Sequence, residues 1–188
     1  AGRYIVQRSI DKWYIYDAAA QMSAGPFEDM APLKSDSGDQ FISPKGLVAV
    51  RAGMMWGFVN VRGELVVPFR YDAVGFGGFG FNRGLCSVCV GGLWGYIDEN
   101  GQWFAPAVFS EAGPFMKTQE NAIAAKVRIG RRNEYMLYAE GCRLIPIVNG
   151  QLTGSADPVT EYFSDGKPRH GTDGAPQPST GGTTSKPR

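Results

Sequence analysis

Histidine is almost missing: the 188-residue chain has one, His170. That excludes a multi-histidine metal centre and leaves any imidazole acid–base chemistry to a single side chain. Charge is scarce and balanced, with 19 Lys+Arg against 18 Asp+Glu and a formal net charge of +1. Such a chain has no global electrostatic pull toward nucleic acid or an anionic membrane. No apolar run reaches the roughly 18 residues of a spanning helix, and no signal peptide is visible. The start at Ala1-Gly2-Arg3 fits a mature protein after cleavage or a piece of something longer. With 3 cysteines a disulfide scaffold is excluded. Cys86 and Cys89 fall three apart in an alternating apolar run, so on a strand they face opposite sides and serve as buried thiols. Helical periodicity is missing too; over 111–124, where it comes nearest, Gly113 and Pro114 argue against a full helix.

Glycine and proline are abundant, 26 and 12 residues, which points to many turns and short elements. The chain also repeats itself. Met55-Trp56-Gly57-Phe58-Val59-Asn60 returns 38 residues later as Leu93-Trp94-Gly95-Tyr96-Ile97-Asp98. Gly46-Leu47-Val48-Ala49-Val50 returns at the same offset as Gly84-Leu85-Cys86-Ser87-Val88, and Gly63-Glu64-Leu65-Val66-Val67-Pro68 as Gly101-Gln102-Trp103-Phe104-Ala105-Pro106. Weaker copies flank these, around Trp13-Tyr14-Ile15-Tyr16-Asp17 and around Glu134-Tyr135-Met136-Leu137-Tyr138. The units run about 1–40, 41–79, 80–118 and 119–148. Degenerate outer units are what a stacked array needs, because its ends must cover exposed faces.

Each unit reads as a meander of three short strands, in the third unit near 84–90, 94–98 and 102–105. Gly91-Gly92 and Asn100-Gly101 supply the positive φ angles of tight hairpins. The proline ends the third strand or sits on its edge, and the segment after it adds an edge strand or a packed loop. Trp13, Trp56 and Trp94 provide large core side chains, Gly57 and Gly95 permit close backbone approach, and Pro68 and Pro106 punctuate the third strand.

The run Trp94-Gly95-Tyr96-Ile97-Asp98 with Gly101, Pro106, Phe109 and Phe115 resembles the WG-repeat (KWG) family. Trp56-Gly57-Phe58-Val59 with Gly63, Val66-Val67-Pro68 and Tyr71-Asp72 resembles it next best. The likeness is close over 46–115 and looser over 12–33 and 122–146. Trp13-Tyr14 lacks the glycine, and Glu134-Tyr135 lacks both motif residues. The resemblance implies a bacterial all-β repeat protein, propeller-like or a partial propeller, with a binding or scaffolding role. It carries over no catalytic residue.

Gly75-Phe76-Gly77-Gly78-Phe79-Gly80 spells a G-x-G-x-x-G, but a strand follows it where a nucleotide site needs a helix. Phe76, Phe79 and Phe81 are either a recognition tip or a lid folded back on the core. Arg131 and Arg132 make a basic hairpin tip that could touch a partner. No catalytic constellation, cofactor site or metal site is expected. Residues from about 149 form a Gly/Pro/Ser/Thr-rich tail that cannot bury enough surface to order itself and would wrap a partner. The expected function is a non-enzymatic protein-interaction or scaffold module, an accessory subunit of a larger assembly; the alternative is a glycan or cell-wall binder using exposed aromatics. The compartment stays open, with an exported, periplasmic or surface location favoured over the cytoplasm.

Overall fold

A computed structural model describes residues 4–35, 38–159, 163–164 and 167–168. They are all-β. The first sheet holds β1 (Ile5–Ser9), β2 (Lys12–Tyr16) and β3 (Met22–Phe27). β4 (Asp29–Met30) follows, then a hairpin of β5 (Leu33–Ser35) and β6 (Gly38–Gln40). The second sheet is built on β7 (Leu47–Ala52), β8 (Met55–Asn60) and β9 (Leu65–Tyr71), after which comes β10 (Ala73–Val74). The third is built on β11 (Leu85–Val90), β12 (Leu93–Asp98) and β13 (Trp103–Phe109), followed by β14 (Glu111–Ala112) and β15 (Met116–Lys117). The fourth has β16 (Ile123–Ile129), β17 (Asn133–Tyr138) and β18 (Arg143–Val148), with β19 (Gln151–Leu152) and β20 (Asp157–Pro158) both paired to β18.

Each unit hands a strand to the next. β4 pairs with β7, β10 with β11 and β14 with β16, all antiparallel. Two main-chain bonds fix every handover: Glu28 N to Arg51 O and Ala31 N to Ala49 O, Asp72 N to Cys89 O and Gly75 N to Ser87 O, Ser110 N to Arg128 O and Gly113 N to Lys126 O. The segment after the motif proline is therefore an edge strand, as one of the two sequence readings had it, but of the following sheet.

Three apolar layers lie between the four sheets. Ile15, Met30, Val48, Val50 and Val59 fill the first; Ala49, Phe58, Val67, Tyr71, Cys86, Val88 and Ile97 the second; Tyr96, Phe109, Phe115, Val127, Leu137 and Leu144 the third. Alternate residues of a strand face opposite ways, so Val48 and Val50 serve one layer while Ala49 serves the next. That explains why Leu47-Val48-Ala49-Val50 is apolar without interruption: both faces of its sheet are covered. No sheet is closed, and among the described residues no core layer joins the first sheet to the last. The fold is an open, propeller-like stack. It runs past residue 148, since Val159 is buried in the third layer.

Candidate functional site: the hairpin-tip edge

The Trp-Gly and Pro elements of the repeat form one device. Trp94 pairs with Phe109 and Tyr96 with Ala105, so β13 carries extra residues opposite Gly95. That bulge contains Pro106, where no ladder donor is lost. A Cβ on Gly95 would lie 2.7 Å from Ala105 O, Ala107 N and Pro106 C, all backbone. The second sheet repeats the arrangement, with Pro68 in a bulge between Val67 and Tyr71 and Gly57 beneath it. The strand thus continues through the proline to the aromatic residue, so of the two sequence readings the proline does not end the strand but sits on a strand at the sheet edge. In the first sheet Tyr14 stands in the glycine position, and Gly25 across from it supplies the room.

The polar residues of the motif are occupied by turns. Asp98 Oδ1 accepts from Asn100 N at 2.9 Å and Gln102 N at 2.9 Å, and Asn60 Oδ1 accepts from Arg62 N and Glu64 N in the same way. Residues that follow each third strand hold the next sheet's first hairpin. Asp72 Oδ2 accepts from Gly91 N at 2.6 Å, and Ser110 Oγ donates to Gly130 O at 2.6 Å. In the first handover Asp29 pairs with Arg51, whose guanidinium donates to Gly53 O at 2.9 Å.

These clamps set the first hairpin tips of successive sheets along one edge. Sheets stacked face to face stand about 10 Å apart, so the tips form a row: Ile10, Met54, Gly91-Gly92, then Arg131 and Arg132. Ile10 is 91% exposed and Met54 87%, with Val90 and Leu93 flanking the third tip at 41% and 42%. Ile10 also holds φ at 55°, a left-handed conformation that a β-branched residue rarely takes. Both basic side chains of the fourth tip are exposed. This row carries no motif, which is why sequence reading found only its basic end.

The three loop phenylalanines are not brought together at the surface. Phe81 is buried against Phe58, ring centroids 5.1 Å apart. Phe76 sits edge-on to Trp94 at 5.2 Å. Phe79 lies under Lys34 Nζ, 5.6 Å from the ring centre, and the loop is tied to the neighbouring hairpin by Gly80 N to Lys34 O. Trp13, Trp56 and Trp94 each pack against a core layer. His170 and the tail from residue 160, apart from two short strands, lie outside the described residues.

Among the described residues no group of three or more His, Cys, Asp or Glu could hold an ion, and an open groove beside Tyr138 and Arg143 contains one carboxylate, Glu140. Burial pushes the Cys86 thiol up to about 12 and Cys142 to about 11, and raises Cys89 as well. All 3 thiols are therefore expected to resist a disulfide-exchange reagent at mildly alkaline pH in the folded protein and to react together in denaturant. Time-resolved thiol titration reads this directly, and a fast native phase would contradict it.

A chain of antiparallel meanders, each completing the next by a donated strand, defines a β-repeat protein. Residues 56–94 and 94–128 match the family described as WG containing repeat, and over that stretch the chain belongs to the WG-repeat family. Each match runs from the strand-two Trp or its register across a handover, so the sequence repeat straddles two sheets. Searches of curated proteins and of solved structures each gave no match.

Proposed function

We propose that the chain is a non-enzymatic protein-interaction module, an accessory subunit that docks through its hairpin-tip edge. The observation that carries this reading is the row of Ile10 and Met54, exposed on turns whose geometry favours Gly, Asn or Asp, with Val90 and Leu93 exposed on the strand ends that flank the third turn. Apolar side chains displayed from tight turns gain nothing for the fold and are suited to burial in an apolar groove of a partner. Arg131 and Arg132 would meet an acidic rim at the far end of that groove.

A glycan reading would need a row of exposed rings. Trp103, 44% exposed, is the one tryptophan among the large exposed apolar residues, and it offers a single ring. The test is native purification at low salt, with mass measurement and identification of co-eluting chains. A stoichiometric protein companion, cross-linked at the tips, is expected. A clean 20.4 kDa monomer whose fluorescence responds to polysaccharide would overturn the reading in favour of the glycan binder.

A further inference from the structure

The chain contains the same tripeptide twice, Asn100-Gly101-Gln102 and Asn149-Gly150-Gln151. Asparagine followed by glycine readily loses its side-chain amide, because the glycine main-chain nitrogen can attack the asparagine Cγ with no side chain in the way. The local sequence is identical at the two places, so the fold decides which copy reacts.

At Asn100 the attacking nitrogen is engaged. The turn joins β12 to β13, and Gly101 N donates to Asp98 O at 3.0 Å. Asp98 Oδ1 holds the amides on either side, those of Asn100 and Gln102. Gly101 is buried, and a Cβ on it would lie 3.1 Å from the Val67 side chain in the neighbouring sheet. To reach Asn100 Cγ, its nitrogen has to break the bond to Asp98 and the turn has to lift off the second sheet.

At Asn149 none of these restraints exists. Asn149 and Gly150 are the central residues of the hairpin between β18 and β19, with φ of 51° and 79°. Positive φ at both marks a type I′ turn, closed by the flanking residues, with the N–H of the second central residue left free. Gly150 N makes no hydrogen bond among the described residues. A Cβ on Gly150 would meet nothing within 4 Å, and Asn149, Gly150 and Gln151 are all exposed. Beyond the turn the ladder is short: Val148 pairs with Gln151 and Ile147 with Leu152. So small an exposed element belongs to the low-stability end of a fold and opens often. Each opening lets Gly150 N swing toward Asn149 Cγ.

We propose that Asn149 is a site of spontaneous deamidation, and that its isoaspartate product unlatches β19 from β18. Gly150 N, losing its proton to hydroxide, bonds to Asn149 Cγ. The Cγ–Nδ2 bond breaks, and Nδ2 leaves as ammonia. The five-membered succinimide that remains takes up one water. Opening at the Cγ carbonyl gives aspartate; opening at the main-chain carbonyl gives isoaspartate. Nothing is oxidised or reduced. Isoaspartate runs the chain through Cγ and adds one carbon to the main chain. A two-residue turn has no slack for it, so the Val148–Gln151 pairing is lost, and β19 has one pair left.

That loss bares an edge the fold otherwise guards. β3, β9 and β13 end their sheets unpaired, and each is broken by two register shifts, one of them holding a proline. Bulges and prolines blunt an edge against stray pairing. β18 pairs five residues in a row with β17 without a shift, and β19 and β20 cover its outer side. The modification needs no partner, so it stands or falls independently of the docking surface.

The test ages the full chain in mildly alkaline buffer and follows both tripeptides by peptide mapping that separates asparagine, aspartate and isoaspartate. In the native chain position 149 should convert at least about tenfold faster than position 100, the margin of an element that opens locally over a packed turn. In denaturant the two rates should converge. In the aged chain the amides of Gln151 and Thr153, the latter tied to Pro146 O at 2.9 Å in the parent, should exchange about tenfold or more faster. Asn149→Asp adds the charge without the extra carbon and should leave that exchange as in the parent. Equal native rates, or the same ratio of rates in denaturant, would overturn the site. Isoaspartate at 149 with unchanged exchange, or an Asn149→Asp variant loosened as much as the aged chain, would overturn the unlatching.

Discussion

Gly95→Ala is expected to destabilise the protein by about 3 kcal/mol, at the upper end of what overpacking does. A methyl group there meets the backbone of the β13 bulge on three atoms, all 2.7 Å away. A flexible side chain could swing aside; a bulged main chain cannot move without breaking the Trp94–Phe109 and Tyr96–Ala105 pairings on either side of it. The effect should be local first. Stability in a stacked array is a sum over units and their interfaces, so exchange protection in the third and fourth sheets should fall before that of the second. Gly91→Ala is the matched control. Its Cβ meets nothing within 4 Å, so only the strain of its φ of 60° remains. Chemical denaturation of the two variants separates close approach from backbone conformation. Equal losses would contradict the bulge argument.

Phe115→Ala should lose about 3–5 kcal/mol, the usual range for a large aromatic removed from a core. The ring is fully buried, edge-on to Tyr96 at 4.9 Å and to Phe104 at 5.5 Å. It closes the layer between the third and fourth sheets near the Tyr96 hydroxyl, which donates to Gly113 O at 2.6 Å. Removing it opens a cavity at the last interface of the stack. The fourth sheet should therefore melt ahead of the rest, and a single cooperative transition should split into two. Scanning calorimetry reads both the lost stability and the split.

Much of the architecture was legible because the central units keep strict spacing. Trp56 and Trp94 with their glycines and prolines revealed the period, the meander and the turn positions. The continuous apolar run Leu47–Val50 carried a further message, that both faces of its sheet are covered. Two features were hidden. The handover of β4, β10 and β14 to the following sheet was hidden because a two-residue strand is held chiefly by main-chain bonds, and Asp72 and Ser110 beside it read as ordinary turn residues. The bulge was hidden as well, since a proline in a strand reads most simply as its end.

The candidate surface was less legible still. Exposed Ile10 and Met54 look like ordinary core residues in a list of amino acids, and only the stacking of the sheets lines them up. The Phe76, Phe79 and Phe81 loop shows the converse. An aromatic, glycine-rich run looks like a displayed tip, but Leu33 and Lys34 of the neighbouring hairpin give it a surface to close on.

The most direct test of the central claim, that the tip edge is the docking surface, is the binding of a triple variant, Ile10→Ser, Met54→Ser and Leu93→Ser, to the companion that co-purifies with the native chain. All three side chains are exposed and 42% or more accessible, so the variant should keep the parent's denaturation midpoint. Its affinity for the companion should fall at least about a hundredfold, as expected when several apolar anchors are truncated together. Undiminished binding by the folded variant would contradict the account.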